Sequence, residues 1–197
     1  MRELARLAAA AALALLAACG DDPGADQSAN VRASTVVEPE TRVDTVPQEE
    51  PAVARQQWRA MTDTSRQIAG NLRVSLEGTR GGPVIFAFAN GITIRAQPYN
   101  VVPADSRSGV GGQSFAAVLG GDPRVDAHLY RVLTENVTPS AARGGLCEGY
   151  RTRHLAVSEF VDASGRWVFK IASFRGGATL PSSADPELCH AYSYAAQ

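Results

Sequence analysis

Residues 83–99, "PVIFAFANGITIRAQPY", constrain the fold most strongly, because Asn90-Gly91 separates two β-favouring runs. An Asn-Gly pair readily takes the positive φ angles of a type I′ turn, so the stretch predicts an antiparallel hairpin. A two-residue turn predicts the pairs Ala89–Ile92, Ala87–Ile94 and Ile85–Ala96 on one face, and Phe88–Thr93 and Phe86–Arg95 on the other. One face is then wholly apolar, as expected for a sheet with one buried and one partly wet face.

A second hairpin is predicted over residues 154–174, "HLAVSEFVDASGRWVFKIASF". The sequence "DASG" at residues 162–165 supplies the turn, and valines and aromatic residues flank it. A two-residue Ser-Gly turn pairs Glu159 with Lys170 and Phe160 with Phe169. Both pairs are favourable across neighbouring strands.

Three further strands are predicted at residues 70–77, 128–134 and 188–195. Residues 100–124 are richer in Gly, Ser and Asp and predict a long loop. The segment "PAVARQQWRAM" predicts a short helix that opens at Pro51, a position that proline tolerates. Six or more short strands with little helix predict a mainly β fold, either a small antiparallel barrel or a sandwich.

The first twenty residues have the features of an export signal. A basic start precedes the apolar run Leu7–Ala18, which as a helix spans about 18 Å, well short of the roughly 30 Å hydrocarbon core. A cleaved secretory signal therefore fits better than a permanent membrane span. The run ends in Leu16-Ala17-Ala18-Cys19, which resembles the lipobox of bacterial lipoproteins. The alternative is an ordinary signal sequence with a coincidental cysteine.

The lipobox resemblance implies that Cys19 is acylated and becomes the mature N-terminus. Two or more fatty chains anchor a protein stably, whereas one chain binds a membrane only marginally. In the lipoproteins that this chain resembles, an aspartate directly after the cysteine retains the protein in the inner membrane. Gly20 stands at that position, which favours the outer membrane. We therefore expect a periplasm-facing protein of the bacterial envelope, held by its lipid.

The segment after the cysteine differs in composition from the rest of the chain. Residues 20–50 are rich in Asp, Pro, Ala, Thr and Glu and hold no aromatic side chain, so they cannot bury enough apolar area to offset the entropy of ordering. A signal peptide is thus predicted at 1–18, a flexible, disordered tether at 19–50 and a β-rich globular domain at 51–197.

The net charge of −1 hides a difference between these parts. Residues 19–57 hold eight acidic side chains and three arginines, whereas residues 58–197 hold eleven acidic and fourteen basic side chains. The tether is therefore acidic and the domain weakly basic. No basic run interleaved with aromatic residues is present, so we expect no nucleic-acid partner.

The chain has three cysteines, and an odd count in an exported protein leaves one thiol to explain. If Cys19 carries the lipid, Cys147 and Cys189 remain, in the similar frames "LCEGY" and "LCHAY". In an oxidising compartment this predicts a Cys147–Cys189 disulfide, which would stabilise the fold by about 4 kcal/mol in the chain-entropy model. The alternative is a pair of buried free cysteines.

No motif in the sequence identifies a catalytic residue, a metal ligand or a cofactor. "GVGGQS" (residues 109–114) has Gln113 where a phosphate-binding loop needs lysine, and Gly-x-Ser-x-Gly is absent. Adjacent strands could bring His154, His190 and Glu148 together as a metal site or a hydrolytic centre. Zinc sites usually show tighter ligand spacing, so ordinary surface or strand residues are the favoured interpretation. Aromatic residues that alternate along the predicted strands are usually core residues, and these are Phe86, Phe88, Trp167 and Phe169. If the second face of the first hairpin were exposed instead, Phe86 beside Arg95 could belong to a patch for a protein or glycan partner.

Three functions remain open. The first is a non-enzymatic envelope module that binds a protein or glycan partner or has a structural role, since the C-terminal part resembles small envelope lipoproteins with a paired-cysteine β domain. The second is an inhibitor of a cell-wall hydrolase, because lysozyme-inhibiting lipoproteins are similar in size and use a Ser-Gly loop that ends near a tyrosine. Ser108-Gly109 here is followed by Val110-Gly111 and no tyrosine. The third is an envelope hydrolase.

Overall fold

Residues 57–197 form a closed antiparallel barrel of eight strands in the computed structural model, which describes this part of the chain. Each strand pairs with the next, and the last pairs with the first. The strands are β1 (Gln57–Ala60), β2 (Leu72–Leu76), β3 (Val84–Phe88), β4 (Ile92–Val102), β5 (Ala127–Val137), β6 (His154–Val161), β7 (Trp167–Phe174) and β8 (Leu188–Ala196). The predicted mainly β fold is confirmed, as a barrel. The predictions on residues 1–56 lie outside the described residues.

Side chains fill the interior of the barrel. Along each strand alternate residues point inward, and eight strands enclose a space just wide enough for side chains. The largest inward residues have no exposed surface or almost none: Trp58, Phe86, Phe88, Tyr130, Phe169, Tyr192 and Tyr194. The Trp58 and Phe169 rings lie 5.1 Å apart, and Phe86 meets Tyr130 edge to face at 5.5 Å. The interior is therefore a packed aromatic core.

A second apolar cluster lies outside the barrel, against β5, β6 and β7. Helix α1 (Phe115–Leu119) covers this face with Phe115 and Leu119 buried, and Leu180 from the β7–β8 link joins it. The Ser114 side chain caps the helix by accepting from the Ala117 N–H at 3.3 Å. The prediction of a loop over residues 100–124 was thus wrong in part, because an apolar i, i+4 pair turns this segment into a helix that covers the sheet.

The first hairpin forms where predicted, but its register is shifted by one residue. The observed pairs are Phe88–Ile92, Ala87–Thr93, Phe86–Ile94, Ile85–Arg95 and Val84–Ala96. A type I′ turn needs positive φ at both central residues, whereas in this turn only Gly91 has it, at 89°. The loop is therefore three residues long, and the predicted pairing was wrong. This register turns Phe86 and Phe88 into the barrel.

The second hairpin is also shifted by one residue. The observed pairs include Ser158–Lys170, Glu159–Phe169 and Phe160–Val168, so the predicted Glu159–Lys170 and Phe160–Phe169 pairs were wrong. Asp162 explains the shift, because its Oδ1 accepts from the backbone N–H groups of Ser164 at 2.9 Å and Arg166 at 3.1 Å. These bonds stabilise a longer turn than the Ser-Gly pair alone.

The chain enters the barrel as a strand. The predicted helix opening at Pro51 is contradicted at residues 57–60, which form β1; residues 51–56 lie outside the described part. β1 pairs with both β8 and β2 and buries Trp58 completely, because closing the barrel needs a strand at this position. A π-helical turn over Ser65–Ala69 follows. No helix among residues 57–197 is long and apolar enough to cross a membrane.

Candidate functional site

The predicted disulfide is present. Cys147 and Cys189 are joined with an S–S distance of 2.09 Å and a Cα–Cα distance of 5.2 Å. The bond ties the link between β5 and β6, residues 138–153, to β8. The predicted lipidation site, Cys19, lies outside the described residues.

The link over residues 138–153 acts as a plug for one end of the barrel, and we call it the plug. Its Leu146 is fully buried in the barrel core. The Leu146 carbonyl accepts from the Tyr192 hydroxyl at 2.6 Å, and its N–H donates to Glu135 Oε1 at 3.2 Å. Glu135 also accepts from the N–H and hydroxyl of Thr152 at 2.8 and 2.9 Å. The polar groups of Leu146, Glu135, Thr152 and Tyr192 thus bond to one another, and these hydrogen bonds hold the plug in place.

The structure brings together two of the three residues considered for a metal or hydrolytic centre, Glu148 and His190, and leaves His154 apart from them. His190 Nε2 lies 3.7 Å from Glu148 Oε1, but Glu148 also pairs with Arg143 at 2.6 Å, which together with His190 holds the pKa of Glu148 below its usual range. His154 lies on the outer face of the sheet, because its neighbour Leu155 points into the barrel core. Among residues 57–197, no group of three or more His, Cys, Asp and Glu side chains could hold a metal ion.

His154 is buried on the outer face of the sheet, away from Glu148 and His190. Its Nδ1 has no hydrogen-bond partner among the described residues, and the Tyr99 ring lies 6.2 Å away. Burial and the nearby Arg131 guanidinium lower the pKa of His154. The folded protein therefore favours the neutral imidazole, which suits a packing residue better than a proton donor.

The only lysine of the chain forms a contact that the sequence did not suggest. Lys170 Nζ donates to Ser193 Oγ at 2.7 Å on the outer face of β7 and β8, and burial lowers the Lys170 pKa. A Cβ added at Gly120, the residue that ends helix α1, would lie 4.0 Å from Nζ. The lysine is thus packed beneath the end of α1, which favours a structural role.

The Ser-Gly segment considered for a hydrolase inhibitor is packed down rather than projecting. Ser108 is fully buried, and its hydroxyl donates to the Gln113 carbonyl at 2.8 Å. A Cβ on Gly109 would lie 2.7 Å from the Ala184 carbonyl oxygen, so the loop presses against the β7–β8 link. This geometry gives the segment no freedom to enter a cleft.

A groove of about 690 Å³ runs along the outside of β1. Three arginines line it, namely Arg59, Arg66 and Arg166, together with the side chain of Asn71. Trp167, at the rim, is 38% exposed, which is unusual for so large an apolar side chain. The groove therefore combines guanidinium groups with an accessible aromatic ring.

A second groove of about 500 Å³ lies on the other side of β1 and shares Asn71 with the first. Gln57 and Arg73 line it, and they pair directly across β1 and β2. We call the two grooves together the β1 surface, defined by Gln57, Arg59, Arg66, Asn71, Arg73, Arg166 and Trp167. None of the described side chains that line it is an aspartate or glutamate.

The arginines of the β1 surface differ in their pairing. Arg66 pairs with Asp63 at 2.7 Å and Arg166 with Asp162 at 2.9 Å, which fixes both guanidinium groups. Arg59 and Arg73 are exposed and make no ion pair among the described residues. Within the described residues, the surface thus holds two arginines in ion pairs and two arginines without one, which suits a partner with negative charge.

Sequence reasoning missed the β1 surface because strands far apart in the chain assemble it. The favoured prediction of Phe86 as a core residue is confirmed, so the conditional patch of Phe86 beside Arg95 does not form: Phe86 is buried in the barrel, while Arg95 pairs with Glu77 outside. The exposed Trp167 was expected to be a core residue, and only its position at the barrel rim leaves it accessible.

No known family model, curated protein or solved structure matches this chain.

Proposed function

We propose that this chain is a lipid-anchored protein of the bacterial envelope whose barrel is a non-enzymatic binding module, with the β1 surface as its binding site. The observation that carries the proposal is the contrast between a filled interior and a grooved, cationic exterior. A barrel that carries a small molecule needs an internal cavity, and here seven large aromatic side chains occupy that space.

The composition of the β1 surface supports a binding role. Tryptophan and arginine are among the side chains most enriched at the energetic centre of interfaces, and Trp167 shares the first groove with three of the four arginines of this surface. Asp63 and Asp162 are each paired with an arginine of this surface and so repel an anionic partner weakly. The positive balance of residues 58–197 acts in the same direction.

The lipid anchor is the second part of the proposal and rests on the lipobox resemblance. Mass spectrometry of the protein purified from membranes tests it. The expected mature chain begins at an acylated Cys19, and a Cys19→Ser variant should lose both the lipid and the membrane fraction. An unmodified Cys19, or a mature N-terminus elsewhere, would contradict the anchor.

Site-directed photo-crosslinking in living cells tests the binding role. A photoreactive amino acid replaces Arg59 on the β1 surface in one variant and Arg107 in the matched control. Arg107 is also exposed, but it lies in the link before helix α1 and lines neither groove. We expect a discrete adduct from position 59 and none from position 107. The same adducts from both positions, or none from either, would refute a binding site on β1.

The inhibitor of a cell-wall hydrolase remains the alternative function. It predicts that the adduct from position 59 contains a hydrolase and that the purified chain lowers that enzyme's activity at a stoichiometric ratio. The buried Ser108 and the packed Gly109 do not favour it.

A further inference from the structure

We infer that the ligand of the β1 surface is a carboxylated glycan chain, with arginines holding its carboxylates and Trp167 packed against a sugar ring. The inference rests on the proposed function and gives that site a ligand class. Three features of the surface select this chemistry: the guanidinium groups, the exposed indole and the side-chain amides.

The guanidinium groups account for the carboxylates. Arginine presents a planar fork of N–H donors that matches a carboxylate in a bidentate arrangement. Gln57 lies opposite Arg73, and Arg59 lies two residues further along the same outward face of β1. Arg59 and Arg73, which form no ion pair within residues 57–197, are therefore diagonal neighbours. Such neighbours lie about 7–8 Å apart at the backbone, which allows long side chains to reach successive acidic groups of one extended ligand.

The indole and the amides account for the sugars. Trp167 is 38% exposed, and an indole combines an apolar ring with a polar N–H edge, which is chemistry that suits the C–H face of a pyranose. Gln57 and Asn71 carry both donors and acceptors and so match sugar hydroxyl and acetamido groups. A compact inorganic phosphate would use the arginines but neither the ring nor the amides.

The dimensions of the surface favour a chain over a single sugar. The two grooves, of about 690 and 500 Å³, share Asn71 and run on either side of β1. A typical single-ligand site falls within the range of roughly 300–1,000 Å³, so each groove has room for at least one ring. A ligand that spans both grooves passes over the Asn71 side chain, whose Oδ1 is already fixed by the Ala60 N–H at 3.0 Å.

The experiment uses the purified full chain with its disulfide intact, in detergent micelles, and isothermal titration calorimetry. The probe is a peptide-free oligosaccharide of alternating N-acetylglucosamine and N-acetylmuramic acid. A chitin oligosaccharide of equal length is the matched control, because it differs by lacking the lactyl carboxylates. We expect the acidic probe to bind about tenfold more tightly than chitin, and the difference to shrink as salt is added.

The variants test the residues. Arg59→Gln combined with Arg73→Gln removes two exposed charges without breaking an ion pair, and should weaken acidic-probe binding about tenfold while leaving the urea midpoint unchanged. Arg107→Gln combined with Arg153→Gln removes the same charge from exposed positions outside both grooves and should leave the affinity unchanged. Equal loss in both double variants would overturn the assignment and indicate a non-specific charge effect.

The inference also fails if chitin and the acidic probe bind equally, if neither binds, or if inorganic polyphosphate binds more tightly than the acidic probe. These failures are separable from failure of the proposed function. A protein adduct from position 59 combined with no glycan binding would keep the binding module and discard its glycan ligand.

Discussion

Removing the Cys147–Cys189 disulfide should destabilise the barrel by about 4 kcal/mol. The two cysteines are 42 residues apart, and closing a loop of that length lowers the entropy of the unfolded chain by an amount worth about 4 kcal/mol at 25 °C. We expect the folded state to change little in a Cys147→Ala, Cys189→Ala variant, because Glu135 and Tyr192 still hold Leu146 from both sides.

Equilibrium urea unfolding of the two forms measures this difference. With a denaturant slope of about 2 kcal/mol/M, the midpoint should fall by roughly 2 M, and the slope should rise because the unlinked unfolded chain exposes more surface. A loss below about 1 kcal/mol would refute the reasoning, since it would mean that the unfolded chain gains little freedom when the loop opens.

Glu135→Gln provides the control on the folded state. The substitution keeps the size of the side chain but replaces the carboxylate, whose oxygens accept from the Leu146 and Thr152 N–H groups, with a neutral amide. The free energy of unfolding should therefore fall by about 1–3 kcal/mol. The same cost should appear with and without the disulfide if the plug stays docked in both. A cost that vanishes in the cysteine-free variant would show that the disulfide itself keeps the plug in place.

The remaining predictions concern packing, pH and the first turn. Phe86→Ala should cost about 3–5 kcal/mol in urea unfolding, because the side chain is fully buried, whereas Ile85→Ala on the outer face should cost clearly less; equal costs would contradict the observed register. Burial and Arg131 lower the pKa of His154, so the unfolded chain binds a proton at this imidazole more readily, and the free energy of unfolding should fall as the pH drops below about 6.5. His154→Gln should therefore reduce the fall in the urea midpoint between pH 7.5 and 5.5. An unchanged fall would contradict this. Gly91→Ala should lower the thermal midpoint, since φ is 89° and the added Cβ would collide with the Thr138 hydroxyl oxygen; an unchanged midpoint would contradict this strain.

The sequence alone determined the features that depend on local chemistry. Asn90-Gly91 placed the first turn, and the turn residues 162–165 placed the second. The mainly β class followed from short runs of β-favouring residues, and the odd number of cysteines left one pair to join. Each of these features depends on residues close in sequence or on the chemistry of one residue type.

Tertiary structure decided the registers, because the sequence of β3 does not alternate. "VIFAF" is apolar at every position, so a shift of one residue exchanges one apolar face of the strand for another. The local sequence of β3 therefore does not favour one register over the other. Packing settles the choice, since Phe86 and Phe88 fill the barrel interior, whereas Ile85 and Ala87 suit the outer face. The single positive φ at Gly91 enforces the same register.

Tertiary structure also decided the closure of the barrel and the position of the β1 surface. β1 and β8 stand at opposite ends of the described chain, and no local signal reports that they pair. Arg59, Arg73 and Trp167 come from three different strands. The sequence around each one alone predicts only an ordinary surface residue for the arginines and a core residue for the tryptophan. Only closure between distant strands brings the guanidinium groups and the indole to one face, because that face belongs to no single segment of the sequence.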